Sequence, residues 1–201
     1  KSLMVEKFVK FEKEVSVIAA RNTKGKISTY PVVENIHENN ILRTTIAPGR
    51  VSEHVKKQAE KIAEKTMEVL HGAGVFGIEM FVTKDDEILI NEIAPRVHNS
   101  GHHTLQSCST SQFEQHLRAI LGMDLGDSSI KSPTIMYNIL GPKTFQGEYN
   151  VLMKKQDNIH LKMYGKLESK PQRKIGHVNI VDKENRGIKE LFNQVEDLKK
   201  N

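Results

Sequence analysis

Two glutamates in the middle of the chain have the residue type and the spacing of a metal site. Glu79 and Glu92 lie in the segments GVFGIEMFVT and ILINEI, which are separated by the four residues KDDE. The apolar, β-branched character of both segments predicts a β-hairpin. If Asp85 and Asp86 form a two-residue turn, Glu79 lies directly opposite Glu92, with the two Cβ atoms ~5 Å apart.

This opposition of carboxylates indicates a bound cation. Like charges in directly opposed positions repel each other, and carboxylates among apolar neighbours need a partner. A divalent cation reverses the sign of the interaction, and magnesium is typically held by one or two carboxylates together with substrate phosphates. Two alternatives stay open from the residues alone: one Glu points to solvent, or a longer loop shifts the register.

Charge and composition restrict the classes of function. The 201 residues contain 30 Lys+Arg and 25 Asp+Glu, a net charge of +5, and the excess lies in residues 153–201. The absence of Trp and the aromatic content of 5% disfavour a base-stacking nucleic-acid platform. No apolar run approaches the ~20 residues that a membrane helix needs. The single Cys108 excludes an internal disulfide and favours a reducing, cytoplasmic compartment.

The elements that position these residues are predicted to change character along the chain. Strands are predicted over 3–9, 14–22 and 26–33, followed by an irregular polar loop over 34–50. A helix is predicted from the N-cap Ser52 to a stop at Gly72. After the hairpin, Ser111 and Glu114 form a capping-box pattern before a helix whose apolar face contains Phe113, Leu117, Ile120 and Leu121.

The last third of the chain is predicted to be mainly β. Short strands are expected over 134–141, 158–166 and 175–183, separated by Gly, Pro and Asn, and a final helix follows with apolar side chains on one face. A boundary is placed near Ser132-Pro133. The predicted class is α+β, an antiparallel sheet with flanking helices over 1–131 and a small, mainly-β domain over 132–201.

The hairpin and the loop after it resemble a known family. The segment NEIAPRVHNSGH is similar to the 5-(carboxyamino)imidazole ribonucleotide synthase family of ATP-grasp enzymes, and VEKFVKFEKEVSV, NIHENNILR and KPQRKIGHVN match it in the same order. The resemblance covers nearly the whole chain. It implies the C-terminal lobe of an ATP-grasp domain followed by a small C-terminal domain. Family members begin with further N-terminal parts, so a C-terminal portion, inactive alone, is expected.

The resemblance implies nucleotide and magnesium roles for residues of the first half. These are Glu6, Lys7, Phe8 and Val9 at the adenine edge, Glu14 at the ribose hydroxyls, His37 near the nucleotide, Asn91 and Glu92 as a nucleotide-binding pair, and Glu79 and Glu92 as magnesium ligands. From the residues alone, Glu14 and His37 would be ordinary surface side chains. Strict alternation places Asn91 opposite Glu92, so that it reaches the site only through its backbone, a bulge or a strand end.

Two further groups are implied by the resemblance. Arg96, His98, Asn99 and Ser100 are expected at the bicarbonate and ribonucleotide side. An Arg fork recognises phosphate or carboxylate, and the other three can donate to a carboxyphosphate. Lys166 and Arg173 match the pair that holds the 5′-phosphate of the substrate; from the residues alone, a solvated basic loop is the better interpretation. Cys108 is interpreted as structural.

The implied reaction is the ATP-dependent carboxylation of 5-aminoimidazole ribonucleotide with bicarbonate, through carboxyphosphate, in de novo purine biosynthesis. ATP and Mg²⁺ are the implied cofactors, the partners are small-molecule substrates without nucleic acid or membrane, and the full-length protein is expected to be a homodimer. The alternatives are another ATP-grasp carboxylase or transformylase of purine metabolism, and a basic nucleic-acid-binding module.

Overall fold

A computed structural model of the chain describes residues 3–150 and 156–200. Within these residues one antiparallel sheet is flanked by helices. The strands are β1 Lys13–Arg21, β2 Ile27–Thr29, β3 Val33–Glu38, β4 Ile41–Ala47, β5 Gly74–Val82, β6 Ile88–Ala94, β7 Thr134–Leu140, β8 Ile159–Met163 and β9 Lys174–Val181. The helices are α1 Glu53–Leu70, α2 Thr104–Ser107, α3 Gln112–Ile120 and α4 Ile188–Lys200, with a 3₁₀ helix at Asn99–His103.

The strands are hydrogen-bonded in the order β6-β5-β1-β3-β4-β7-β9-β8, and β2 pairs with β1. This arrangement confirms the predicted α+β class and its antiparallel sheet. Strand β7 pairs with β4, so the sheet continues across the expected boundary near Ser132-Pro133. The division into domains at 1–131 and 132–201 stays a prediction.

The two faces of the sheet differ in polarity. One face is apolar: α1 packs on it through Ala59 and Met67 against Val17 and the other core residues of β1 and β5. Helix α4 packs on the same face through Leu191 and Val195, against β7 and β9. The pairing register places polar side chains from six strands on the opposite face: Glu14, Asn35, Thr45, Glu79, Asn138 and His177. A polar sheet face of this extent indicates a functional surface.

The first helix forms as its sequence predicts. The side chain of Ser52 accepts a hydrogen bond from the backbone N of Val55, at 3.2 Å, which is the expected N-cap contact. The helix ends at His71, whose φ of 53° is left-handed, one residue before the predicted stop at Gly72. A Cβ at Gly72 would lie 2.5 Å from the ring of Phe76, so Gly72 is required for packing as well.

Helix α3 has the predicted cap and an unexpected orientation. Ser111 accepts from the backbone N of Glu114, which confirms the N-cap half of the capping box, while the Glu114 carboxylate accepts from Arg118. The apolar side chains Phe113, Leu117, Ile120 and Leu121 are nevertheless 36–70% exposed. The buried side of the helix carries Gln112 and Gln115, whose amides bind loop backbone; Gln115 both donates to and accepts from Gly126.

The prediction of an irregular loop over 34–50 is wrong. Strands β3 and β4 form a hairpin there, with Asn39 and Asn40 at φ of 53° and 59°. Two successive positive φ values are typical of a type I′ turn, and Asn is among the residues that tolerate them. Polar residues such as Asn35 and Thr45 face the functional surface, so these strands lack the apolar alternation that would have identified them.

The predicted strand over 3–9 is also wrong. Leu3, Val5 and Phe8 are 84–93% exposed, and no strand of the described residues pairs with this segment. A strand needs backbone partners for its N–H and C=O groups, and apolar composition alone does not provide them. The chain joins the sheet only at Phe11, which stacks on Phe81 with ring centroids 4.3 Å apart.

Cys108 is buried among Ile18, Ala20 and Val75, and burial raises the pKa of its thiol. This environment agrees with the structural interpretation. None of the helices in residues 3–150 and 156–200 has the length and apolarity needed to cross a membrane.

Candidate active site

The hairpin of β5 and β6 brings Glu79 and Glu92 together as paired residues. The turn differs from the predicted one: Val82 pairs with Ile88, and a register shift follows between Glu79 and Met80. Because Met80 pairs with Ile90 while Glu79 pairs with Glu92, Asn91 is an extra residue in β6. Asn91 therefore occupies a β-bulge, a device that re-aims a side chain at a site. The bulge compensates for the longer turn and restores the opposition of the glutamates.

Glu79 is the half-buried member of the pair. Burial raises the pKa of Glu79, and the charges of Glu92 and Glu14 raise it further, while His37 and Lys174 act in the opposite direction. A bound cation stabilises a carboxylate that is partly buried and close to other carboxylates, because it offsets their repulsion. The described residues contain no cluster of three or more His, Cys, Asp or Glu side chains arranged for a metal. The pair fits an ion that takes its remaining ligands from a substrate.

Glu14 and His37 form a second polar contact on the same face. The Nδ1 atom of His37 lies 2.5 Å from Oε2 of Glu14, and both side chains are about one-fifth exposed. Their strands β1 and β3 are direct neighbours, and β1 also pairs with β5, which carries Glu79. Glu14, His37 and Glu79 therefore interact electrostatically, as a single charged surface.

The loop after β6 folds back over the sheet beside Glu79. Nε2 of His98 lies 3.8 Å from Oε1 of Glu79. Nδ1 of His98 accepts from the backbone N of Ser100 and lies 2.9 Å from its Oγ. Burial, with a contribution from Arg96, lowers the pKa of His98 to about 4. The neutral ring therefore accepts at Nδ1 and carries its proton on Nε2, directed toward Glu79.

Gly77 and Gln112 fix the position of the His98 loop against the sheet. A Cβ at Gly77 would lie 2.5 Å from Cβ of His98, so only Gly at this β5 position lets His98 approach. Gln112 accepts from the backbone N of His98 at 2.9 Å and donates to its O at 2.7 Å. The loop is thus held by a buried amide of α3, a role that the capping-box pattern does not reveal.

Lys174 is a site residue that sequence reasoning missed. It begins β9, and its ammonium interacts electrostatically with Glu79 and Arg96; burial lowers its pKa, and Glu79 opposes that shift. The resemblance pointed to Lys166 and Arg173 instead. The strand pattern of KIGHVNIV could have identified Lys174, because it places this residue at the start of a strand. Lys166 and Arg173 lie in the loop before that strand.

Comparison with known proteins identifies the family of the chain. The family model for the ATP-grasp domain matches residues 1–113, and the model for the phosphoribosylaminoimidazole carboxylase C-terminal domain matches residues 134–191. The chain is 43% identical over 192 residues to N5-carboxyaminoimidazole ribonucleotide synthase of Bacillus subtilis, covering 95% of this chain and 50% of that protein. The chain belongs to the N5-carboxyaminoimidazole ribonucleotide synthase family of ATP-grasp proteins.

Solved structures of this family share the fold. The synthetase from Thermotoga maritima has a TM-score of 0.86 and 45% identity, over 96% of this chain and 52% of that one. The Aspergillus clavatus synthase, solved with ADP and 5-aminoimidazole ribonucleotide, has a TM-score of 0.82 and 33% identity, over 95% of this chain and 51% of that one. The chain spans about half the length of the relatives it matches.

The structure does not bring all family-implied residues into one place. Glu14, His37, Glu79, Glu92 and His98 lie together, with Lys174 close enough to interact electrostatically with Glu79, and Arg96 with His98. Glu6, Lys7 and Phe8 are exposed ahead of β1, and Val9 is partly exposed. Lys166 is exposed, and Arg173 donates to the backbone O of Glu168 at 3.4 Å. Nucleotide and phosphate roles for these residues stay predictions.

Proposed function

We propose that the natural polypeptide carrying this chain carboxylates 5-aminoimidazole ribonucleotide with ATP and bicarbonate. The observation that carries the proposal is the convergence of a carboxylate pair, an acid–histidine pair and the loop of His98 on one polar sheet face. Relatives of this chain carry that activity in their names. A bicarbonate oxygen attacks the γ-phosphorus and ADP leaves; the amine nitrogen then takes the carboxyl group, and phosphate leaves.

The chain's own residues account for the nucleotide side of this reaction. Glu14 accepts hydrogen bonds from the ribose hydroxyls, with its carboxylate oriented by His37 at 2.5 Å. Asn91 reaches the nucleotide because the bulge turns its side chain away from strict alternation. Glu79 and Glu92 would hold Mg²⁺. When bound, that ion offsets the negative charge of the phosphates.

The loop after β6 accounts for the carboxyl side. Arg96 offers a planar fork for a carboxylate or phosphate, and the Nε2–H of His98 is a neutral donor beside the carboxylates. No covalent nucleophile of the protein is required, because positioning and fixed donors supply the rate enhancement. The basic surface at Lys166 and Arg173 is proposed to hold the 5′-phosphate of the substrate.

Three broader points belong to the same proposal. Mg²⁺ is the proposed metal, from the carboxylate pair and the family resemblance. The cytoplasm is the proposed location, from the single cysteine, and a homodimer is the proposed assembly, from the resemblance. Another ATP-grasp carboxylase or transformylase is disfavoured by the match of residues 134–191 to the phosphoribosylaminoimidazole carboxylase C-terminal domain. A nucleic-acid module is disfavoured because the polar sheet face carries carboxylates at its centre.

Phosphate release tests the proposal. With ATP, Mg²⁺ and bicarbonate, the natural polypeptide should release phosphate faster when 5-aminoimidazole ribonucleotide is added. Omission of the ribonucleotide and its replacement by ribose 5-phosphate are the controls, since the latter offers the phosphate without the amine. A release rate that the ribonucleotide does not change would refute the assignment of substrate.

A further inference from the structure

The side chain of Asn99 is held by a buried amide on β7. Nδ2 of Asn99 donates to Oδ1 of Asn138 at 3.0 Å, and Nδ2 of Asn138 donates back to Oδ1 of Asn99 at 2.6 Å. Asn138 has no exposed surface. The two amides form a closed, reciprocal pair between the loop after β6 and the C-terminal part of the sheet.

The backbone of β4 fixes the direction of this pair. Nδ2 of Asn138 also donates to the carbonyl O of Leu42 at 2.9 Å, and a carbonyl oxygen only accepts. The Asn138 amide therefore has its NH₂ group toward β4, and Oδ1 is left to accept from Asn99. The orientation of Asn99 follows from that of Asn138.

One donor of Asn99 is therefore committed to the clamp partner. An amide NH₂ has two hydrogens, and the buried Oδ1 of Asn138 takes one of them.

We propose that Asn99 and Asn138 form a clamp that positions the loop of Arg96 and His98. The clamp ties the loop to β7, while Gln112 ties it to α3. Asn99 and Asn138 are then positioning residues, and Arg96 and His98 are the groups that meet the transferred carboxyl. This inference rests on the proposed function.

A double-mutant cycle on kcat tests the clamp in the natural polypeptide. Asn99→Ala and Asn138→Ala should each lower kcat by about ten- to hundred-fold, because a misplaced donor costs that much. The double variant should be no slower than either single one, since both remove the same contact. Multiplied effects, or an unchanged kcat for Asn138→Ala, would overturn the clamp; so would a loss for Asn99→Ala far larger than for Asn138→Ala.

Two further variants separate positioning from stability. Thr134→Val removes a buried hydroxyl of β7 that donates to the nearby O of Ser132; it should lower Tm without lowering kcat. Asn138→Asp should be slower than Asn138→Ala, because its carboxylate would face the acceptors of Leu42 and Asn99. An Asp variant as active as wild type would contradict the deduced orientation.

A measurement on the unmutated protein tests the clamp without depending on whether a variant folds or whether the protein is active. With ¹⁵N-labelled Asn side chains, the NH₂ protons of Asn99 should exchange with solvent far more slowly than those of Asn193, which lies on the exposed side of α4 and bonds Glu190. Equal exchange rates would refute the clamp even if carboxylase activity is confirmed. Absent activity with slow exchange would refute only the proposed function.

Discussion

Glu79 is the residue on which the charges of the site converge. Burial raises its pKa, Glu92 and Glu14 add to the shift, and His37 and Lys174 oppose it. Side chains of both signs from four strands therefore surround one carboxylate. At the scale of single residues, this balance predicts that the carboxylate pair is tolerated in the free protein but becomes favourable only with a bound cation.

Replacement of Glu92 by Gln tests the role of the pair. The variant keeps the shape of the side chain and removes the charge, so magnesium-dependent turnover should fall by at least about a hundred-fold. Relief of the like-charge repulsion should leave stability equal or raised by up to about 1 kcal/mol. The matched control is Glu87→Gln, at the exposed end of the same hairpin. Full activity in Glu92→Gln would exclude its role as a ligand.

Buried histidines predict a loss of stability in mild acid. Burial is the main cause that lowers the pKa of His98 and His177 to about 4, and that of His102 and His103 to about 3. Below the unfolded value of about 6.5, the unfolded chain binds protons that the folded chain does not. Stability should therefore be complete above pH 6.5 and fall as pH drops toward 4, by up to about 1.4 kcal/mol per pH unit for each histidine.

Urea unfolding at pH 7, 6 and 5 measures this loss. His103→Gln should make the pH dependence shallower by the contribution of one histidine, because His103 is fully buried. A free energy of unfolding that stays constant from pH 7 to pH 5 would contradict the prediction.

At the scale of elements, three contributions to the site depend on local irregularities. A β-bulge carries Asn91, a second register shift precedes His37, and a glycine at position 77 admits the loop of His98. Regular elements can be predicted from their hydrophobic pattern, and helix α1 and the β5–β6 hairpin were predicted in this way. The irregularities were not, because a bulge changes only one residue and Gly77 lies in an otherwise apolar strand.

Deletion of Asn91 tests the role of the bulge while the opposition of Glu79 and Glu92 is kept. With the longer turn, a strand β6 without Asn91 would continue in regular register and still place Glu92 opposite Glu79. The hairpin should remain stable, while affinity for ATP should fall by about ten-fold, the loss of one or two hydrogen bonds. Titration calorimetry with the natural polypeptide checks this; unchanged ATP affinity would show that Asn91 has no nucleotide role.

At the scale of the whole molecule, one sheet joins the two parts that the family models match. The sequence was sufficient for the class and for the family, and it predicted the opposition of Glu79 and Glu92 through a turn that the structure does not have. It was insufficient for Lys174, Asn138 and Gln112, because their roles depend on side chains that meet across the fold. A polar residue within an apolar strand, such as Asn138 in TIMYNIL, is the signal that a second inspection could use.

Transfer of ¹⁸O from bicarbonate to phosphate tests the central claim most directly. In the proposed reaction a bicarbonate oxygen bonds to the γ-phosphorus, and cleavage of its bond to carbon leaves that oxygen on phosphate. The natural polypeptide, given ATP, Mg²⁺, 5-aminoimidazole ribonucleotide and [¹⁸O]bicarbonate, should release phosphate carrying one ¹⁸O atom per turnover. Phosphate released without ¹⁸O would mean that water attacks ATP, and would contradict carboxyphosphate formation at this site.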